Sequence, residues 1–320
     1  GDKFANLDTM YQSLEEFVDY VKSTYPKIQL EAAIMDFNYS ESFFQNTNGV
    51  NFEVREGIYG FSPMFLSKDG KDTSSFNGTG FSALKVEKPL HKYGSIDTLL
   101  QQSVEQLHTQ NITDKFVGKL VVTPDCIGDF LRFITSDISD GKMISGNSLY
   151  KEKLHKSIAD PKLTFHSRPV SKEIVDGYFI TNDGYVAENS TIVDKGILKT
   201  HLLGIYGANK LNKNRAVNDG GAYMVDAGDK SHSEIINNID KGVLLARFSG
   251  GNPATNGDFS GVAKNSYYIE NGKIQHPISE TMVSGNIRDM FENLDEVSSD
   301  RIDFGSGILP WISFKGITVS

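Results

Sequence analysis

The Asn271-Gly272 pair constrains this chain more tightly than any other dipeptide in it. Both central positions of a two-residue hairpin turn need positive φ, which Gly adopts freely and Asn tolerates. Residues 267–270 and 273–277 are therefore expected to fold back on each other as antiparallel strands. Just before this hairpin, residues 250–261 read GGNPATNGDFSG, a run crowded with small and polar side chains. Small residues let a ligand or a second chain approach the backbone closely, which makes the run a candidate functional edge. The same composition describes a long surface loop, and spacing alone does not separate the two readings.

The rest of the chain alternates helices with short strands. Met10, Leu14, Phe17, Val18 and Val21 recur at helical spacing after Asp8, a good N-cap, and Pro26 stops that helix. Residues 27–35, 40–45, 50–55 and 59–66 read as four strands of a meander, with turns at Asn46-Thr47-Asn48-Gly49 and Lys68-Asp69-Gly70. Ser95 opens a helix through Ile96, Leu99, Leu100, Val104 and Leu107 that is expected to end at Asn111. A first domain, 1–117, closes there, and a second, 118–320, follows.

In the second domain a strand at 119–122 runs into Thr123-Pro124, the cap and first position of a helix burying Ile127, Phe130, Leu131 and Ile134. Residues 163–166 read as a strand. A second meander at 177–203 turns at Asn182-Asp183-Gly184 and Asp194-Lys195-Gly196, with a strand expected over 185–193. Ser231 and Glu234 form a capping box. Residues 243–248 read as one buried strand that delivers the chain to the Gly-rich run. Asn286 caps a short helix, and 311–319 is a closing strand. The expected class is α+β in two domains: a smaller helix-flanked antiparallel sheet, then a larger, mainly antiparallel or barrel-like body.

Composition excludes several functions. At 320 residues the chain is long enough for two cores. A net charge of -9 with no Lys/Arg stripe argues against nucleic acid as a partner. No apolar run approaches the ~20 residues that span a bilayer, so no membrane partner is expected. The one cysteine, Cys126, rules out an internal disulfide framework and fits a reducing compartment. The chain opens Gly-Asp-Lys without a signal-peptide pattern, the first Gly reading as a cloning remnant, and a cytoplasmic location is expected.

Motifs for chemistry are mostly missing. None of the seven histidines has the i, i+4 partner and adjacent Glu that a helix-borne zinc site needs; His155, His166, His201 and His276 fall on different predicted elements. Cys126, third in its helix, sits where the helix dipole favours a thiolate, but its neighbours Ile127 and Phe130 favour a core role. Neither Ser260 nor Ser306 has the Gly-x-Ser-x-Gly frame, and phosphate and dinucleotide loops are absent. Carboxylate pairs such as Glu15-Glu16 and Asp137 with Asp140 read as solvated helix faces.

The succession GKLVVTPDCIGDFLRFI, GNSLY, ITNDGYVAENSTIVDKGILKTHLLGIYGANKL, SEIINNIDKGVLLARFSGG and NGDFSGVAKNSYYIENGKIQHPISETMVSGNI resembles the C-terminal domain of the TldD/TldE (PmbA) family. The resemblance covers 118–320. It is most specific at Gly257-Asp258-Phe259-Ser260, at Ile269-Glu270-Asn271-Gly272-Lys273 and at Gly285-Asn286. The Asn46-Thr47-Asn48-Gly49 turn looks like the family's Asn-Ser-x-Gly segment. The resemblance implies a cytoplasmic two-subunit peptidase that trims or matures peptides, in which the TldD-type chain carries zinc and the TldE-type chain does not. Zinc-carrying members place a His-Glu-x-x-x-His or similar motif on the helix after the first C-terminal-domain strand. Here that helix begins Thr123-Pro124-Asp125-Cys126-Ile127-Gly128-Asp129-Phe130, which sorts the chain with the TldE/PmbA branch. Family members have a longer portion before the residue matching Leu30, so this is a short form or a fragment.

These residues lead to a non-catalytic subunit with no catalytic or metal-binding residue of its own, zinc being expected in a TldD-like catalytic partner. Asn256, Gly257, Asp258, Ser260 and Gly261 are the candidate substrate-binding wall for extended or unfolded peptides. A homodimer when the partner is absent stays open. Two other readings stay open: a hydrolase active alone, through Cys126 or a metal site no motif reveals, and a regulatory protein-binding module of the gyrase-modulator type.

Overall fold

The computed structural model describes residues 1–47, 49–279 and 281–320 of an α+β chain. It divides into two compact units: Gly1–His108 with Pro169–Ala187 and Asp303–Gly307, and Thr109–Arg168 with Glu188–Ile302 and Ile308–Ser320. Neither unit is a single stretch of chain, whereas the expected domains, 1–117 and 118–320, were consecutive.

In the first unit, Ile28–Gln45 and Asn51–Asp69 pair antiparallel from Ile28 opposite Ser67 to Gln45 opposite Asn51, with one irregularity between Leu30 and Ala32. The four short strands expected here are thus two long ones. Asp36-Phe37-Asn38-Tyr39 alternates apolar with polar and holds no breaker, so the strand period runs through it. Gly57 does not break the second strand either, because the Asp2 carbonyl oxygen lies 1.8 Å from where a Cβ would stand; glycine is needed there for close approach. At the hairpin end, the Asn46 carbonyl accepts the Gly49 N–H at 3.2 Å; Asn48 lies outside the described residues. Helices Leu7–Thr24 and Ile96–Glu105 contribute Phe17, Val21, Ile96 and Leu100 to a core shared with Phe61 and Phe65. Asn6, not Asp8, caps the first helix, its Oδ1 accepting the Thr9 N–H at 3.1 Å. The second ends at Glu105, short of Asn111.

The second unit is built on Phe116–Val122, which pairs antiparallel with Ile308–Val319 and parallel with Lys241–Leu245. Lys241–Leu245 in turn pairs with Ser266–Glu270, whose hairpin partner is Lys273–Ser279. Asn271 (φ 51°) and Gly272 (φ 75°) form the expected turn. The sheet is mixed, since Tyr223–Val225 also runs parallel to Ile308–Val319. Around the Asp194-Lys195-Gly196 turn, strands Ser190–Asp194 and Ile197–Leu198 form. The strand expected over 185–193 starts only at Ser190, and the Asn182-Asp183-Gly184 turn, closed by an Ile180–Val186 bridge, belongs to the first unit. Among the described residues no helix is long and apolar enough to cross a membrane.

The strand expected at 243–248 is broken at Ala246 into Lys241–Leu245 and Arg247–Gly250. Two hydroxyls take up the backbone there: the Ala246 N–H donates to Ser266 Oγ at 3.2 Å, and Thr123 Oγ1 donates to the Ala246 carbonyl at 3.4 Å. A buried backbone group needs some partner, and side chains supply it where the ladder stops. Beyond the break the chain changes partners: Arg247–Gly250 pairs with Asp258–Lys264, which pairs with Thr281–Asn286, which returns to Ile308–Val319. The helix Pro124–Asp137 packs Phe130 against Phe248 and Phe259, with ring centroids 5.3 and 5.7 Å apart.

Phe130 is fully buried in this trio. We expect Phe130→Ala to lower stability by about 3–5 kcal/mol, read from urea unfolding midpoints at constant m. A loss below about 1 kcal/mol would mean that the helix does not rest on this contact.

Candidate functional site

The Gly-rich run ends in a knot of side-chain amides around Asp258. Cross-strand register sets Asp258 opposite Asn286. Asn286 Nδ2 donates to Asp258 Oδ1 at 2.9 Å and to the Asn256 carbonyl at 3.0 Å. Asn256 Nδ2 donates to Asp258 Oδ2 at 2.7 Å, and Asn256 Oδ1 accepts the Asp258 N–H at 3.1 Å. The hydrogen bond from Asn286, then that from Asn256, holds the Asp258 carboxyl below the usual carboxylate range. Asn286 is also the cap of the helix Ile287–Glu292, its Oδ1 accepting the Arg288 N–H at 3.1 Å.

Gly257 is buried within this knot at φ 96°, and the Asn286 side chain comes within 3.0 Å of where a Cβ would be. Its carbonyl accepts the Ile287 N–H at 2.8 Å. Of the five candidate residues, then, Asn256, Gly257 and Asp258 hold the loop's shape. Ser260 is exposed, and Gly261 lies under the Phe248 ring, opposite Gly250 and Val283. In the sequence Asn286 stands out as a cap and as part of the Gly285-Asn286 segment of the resemblance, not as a partner of Asp258; counting register back along the strands flanking the loop would have paired the two.

Cys126 is buried beneath the Arg247–Gly250 strand, with the Phe248 backbone N–H donating to its sulfur. Burial, with Asp129 nearby, pushes the thiol far up, the opposite of the activated thiolate a helix N-terminus would favour. The sulfur acts as a small core group and a hydrogen-bond acceptor.

The histidines do not converge. His166 Nε2 pairs with Asp226 Oδ1 at 3.0 Å, while Nδ1 faces Thr191 Oγ1 at 2.9 Å. Burial, then Arg168, lowers its pKa, and that suits a neutral ring donating through Nε2. His201 is also buried and its pKa lowered chiefly by that burial. His155 is exposed at φ 62°, and His276 Nδ1 lies 3.1 Å from the Pro277 carbonyl. Among the described residues no group of three or more His, Cys, Asp or Glu could hold a metal ion. On the helix after the first strand of this unit, Asp129 pairs with Arg132 at 2.6 Å and Phe130 is core. The helix Pro124–Asp137 carries no His, and its residues do not fit a zinc site.

A family model described as the PmbA/TldA metallopeptidase C-terminal domain matches residues 117–320. A metalloprotease PmbA homolog of Buchnera aphidicola (from Acyrthosiphon pisum) is 32% identical over 195 residues, 58% of this chain and 44% of that protein. Another from Haemophilus influenzae is 23% identical over 324 residues, 93% of this chain and 71% of that one. TldE from Thermococcus kodakarensis has a similar fold, with a TM-score of 0.84 at 14% identity, covering 99% of this chain and 75% of that chain. The matched stretch is about half the length of the Buchnera and Escherichia coli relatives, at 44%, 53% and 41%.

Removing the Asn286 amide tests the knot. A depressed carboxyl stabilises the fold above its unfolded pKa, and that contribution is lost as pH falls through the folded value. Asn286→Ala is expected to cost about 0.5–2 kcal/mol at pH 7 for the lost cap alone. The gap to wild type should narrow on acidification below the ordinary Asp range as Asp258 protonates. A gap independent of pH in urea titrations would show that Asn286 does not act on Asp258.

Proposed function

Since the chain belongs to the PmbA/TldD metallopeptidase family, we propose that it is the TldE/PmbA-like, non-catalytic subunit of a two-chain peptidase acting on extended peptides. The observation that carries this reading is the helix Pro124–Asp137. Where the resemblance places a His-Glu motif in zinc-carrying members, this helix begins Pro124-Asp125-Cys126-Ile127-Gly128-Asp129-Phe130 and carries no His; Asp129 is tied to Arg132, and Phe130 is buried against Phe248 and Phe259. Zinc and the hydrolytic chemistry belong, on this reading, to a TldD-type partner, and the setting is the cytoplasm.

This chain's own part is to hold the peptide. Among the described residues, Arg247–Gly250 has its ladder partner on one side, Asp258–Lys264. On the other side the Phe248 N–H goes to Cys126, so by strand alternation the next outward backbone pair is that of exposed Gly250. An extended peptide added there would bond through its main chain, which gives affinity with little sequence preference. Ser260 is exposed on the neighbouring strand, one strand spacing further from such a peptide, where a bulky side chain would overhang the edge, and the Asn256–Asp258–Asn286 knot keeps the edge rigid. The buried, high-pKa thiol of Cys126 counts against a hydrolase that works alone through cysteine.

Metal analysis of chain purified without chelator is expected to find zinc far below stoichiometric in the isolated chain. Zinc should co-elute with both chains after mixing with a TldD-type partner; stoichiometric zinc in the isolated chain would overturn the assignment. In the complex, Ser260→Trp is expected to lower kcat/KM for an unstructured peptide about tenfold while the melting temperature holds. Unchanged turnover would remove Ser260 from the wall.

A further inference from the structure

A cavity of about 130 Å³ opens beside the Gly-rich run in the second unit. Its walls are the far end of the Pro124–Asp137 helix (Phe133, Ser136, Asp137), Lys142, Leu149-Tyr150, Asn252-Pro253-Ala254 and Ile287. Ser136, Asn252 and Ala254 are exposed, whereas Asp137 and Tyr150 are buried, so the cavity has a solvent-facing mouth and a polar floor. Its size is close to that of a protein cavity that accepts one benzene ring. It therefore has room for one side chain.

The floor offers donors. Asp137 Oδ2 accepts the backbone N–H groups of Leu149 and Tyr150, and Lys142 Nζ lies 3.7 Å from Oδ1, so the carboxylate charge is already engaged. The Tyr150 hydroxyl, on a side chain 2% exposed, has no hydrogen-bond partner. A buried donor left unpaired is costly and calls for an explanation. Burial, with Asp137 nearby, keeps the phenol protonated and hence a donor at any physiological pH. Lys142 retains protons that Asp137 does not use.

We propose that this cavity is a recognition pocket for one side chain of the bound peptide, and that it selects a side chain tipped by a carbonyl oxygen: Asp or Glu, or their amides Asn and Gln. This rests on the peptide-wall reading above, whose edge begins at Gly250, two residues before Asn252. The apolar lining of Phe133, Leu149, Pro253 and Ile287 would pack the stem of such a side chain and Lys142 would donate to its oxygen, while the Tyr150 hydroxyl, closed off beneath the empty cavity, would become a second donor once the side chain enters.

The test uses the isolated full chain and amide-resolved NMR titrations with N-acetyl, C-methylamide derivatives of Asp, Asn and Leu, and with N-acetyl-alanine bearing a free carboxylate. The Asp or Asn probe should shift the amides of Leu149, Tyr150, Asn252 and Ala254 saturably, and the Leu probe should not. Tyr150→Phe should weaken that binding about tenfold, the worth of one well-made hydrogen bond, without lowering the melting temperature, because the deleted hydroxyl has no partner in the protein. Ala254→Leu, which fills the mouth, should abolish it. Equal binding of the Leu probe, wild-type affinity in both variants, or no saturable shift at these amides would overturn the proposal. Tightest binding by N-acetyl-alanine would overturn it in favour of a chain-end site. An extended peptide that shifts amides 247–250 and 258–261 but not 149–150 would sink the pocket and leave the wall reading standing. Saturable shifts at the pocket with none along that edge would sink the wall instead.

Discussion

One side-chain amide, that of Asn286, joins three pieces of backbone. Its Nδ2 holds Asp258 and the Asn256 carbonyl, and its Oδ1 caps the Ile287–Glu292 helix. The loop that precedes Asp258, the strand that carries it and the helix beyond Asn286 share a single anchor. Register makes this work. Asp258 meets Asn286 because Asp258–Lys264 and Thr281–Asn286 pair without a slip, and a one-residue slip would put the two side chains on opposite faces. Gly257 then becomes obligatory, since a Cβ there would displace the amide that ties the knot.

The second constraint is the break at Ala246. Had the strand continued straight, Arg247–Gly250 would lie along the main ladder and the Gly-rich run would emerge elsewhere. Instead Ser266 and Thr123 satisfy the Ala246 backbone, and the chain crosses to pair with Asp258–Lys264. The helix Pro124–Asp137 supports the crossing from beneath, with Phe130 touching both redirected strands through Phe248 and Phe259. Cys126 completes the support by accepting the Phe248 N–H. In this chain the helix therefore spends its Cys and Phe on packing the edge.

Much of this was legible in the sequence, and the reasons differ from feature to feature. Asn271-Gly272 and the Ser231–Glu234 capping box were readable because local chemistry alone decides them. The helix at Thr123-Pro124 followed from the same kind of rule. The long first hairpin was expected as four short strands; the 36–39 gap was bridgeable from its alternation, whereas the need for a bare Cα at Gly57 shows only once the Asp2 carbonyl is placed against it. Ala246 was invisible for a like reason: a uniformly apolar stretch gives no sign that two distant hydroxyls will end its ladder. At the site, the Gly-rich run and its five residues were found by composition. That Asp258 is already satisfied by Asn256 and Asn286 is a matter of tertiary register.

That last point decides what kind of surface the run can present. A carboxylate with one amide hydrogen on each oxygen, and its pKa depressed by them, is fixed in place by the loop with about half its acceptor sites engaged. On the proposed reading, recognition draws on the outward backbone at Gly250 and, in the adjoining cavity, on Lys142 and the unpaired Tyr150 hydroxyl. Backbone groups bind any extended chain alike, so they supply affinity without choice. A buried donor that must find an acceptor supplies choice, because a side chain lacking one would leave it unsatisfied again. On the proposed reading the edge and the cavity divide the work: Asn256, Asp258 and Asn286 set the shape, the strand would grip, and the floor of the cavity would discriminate.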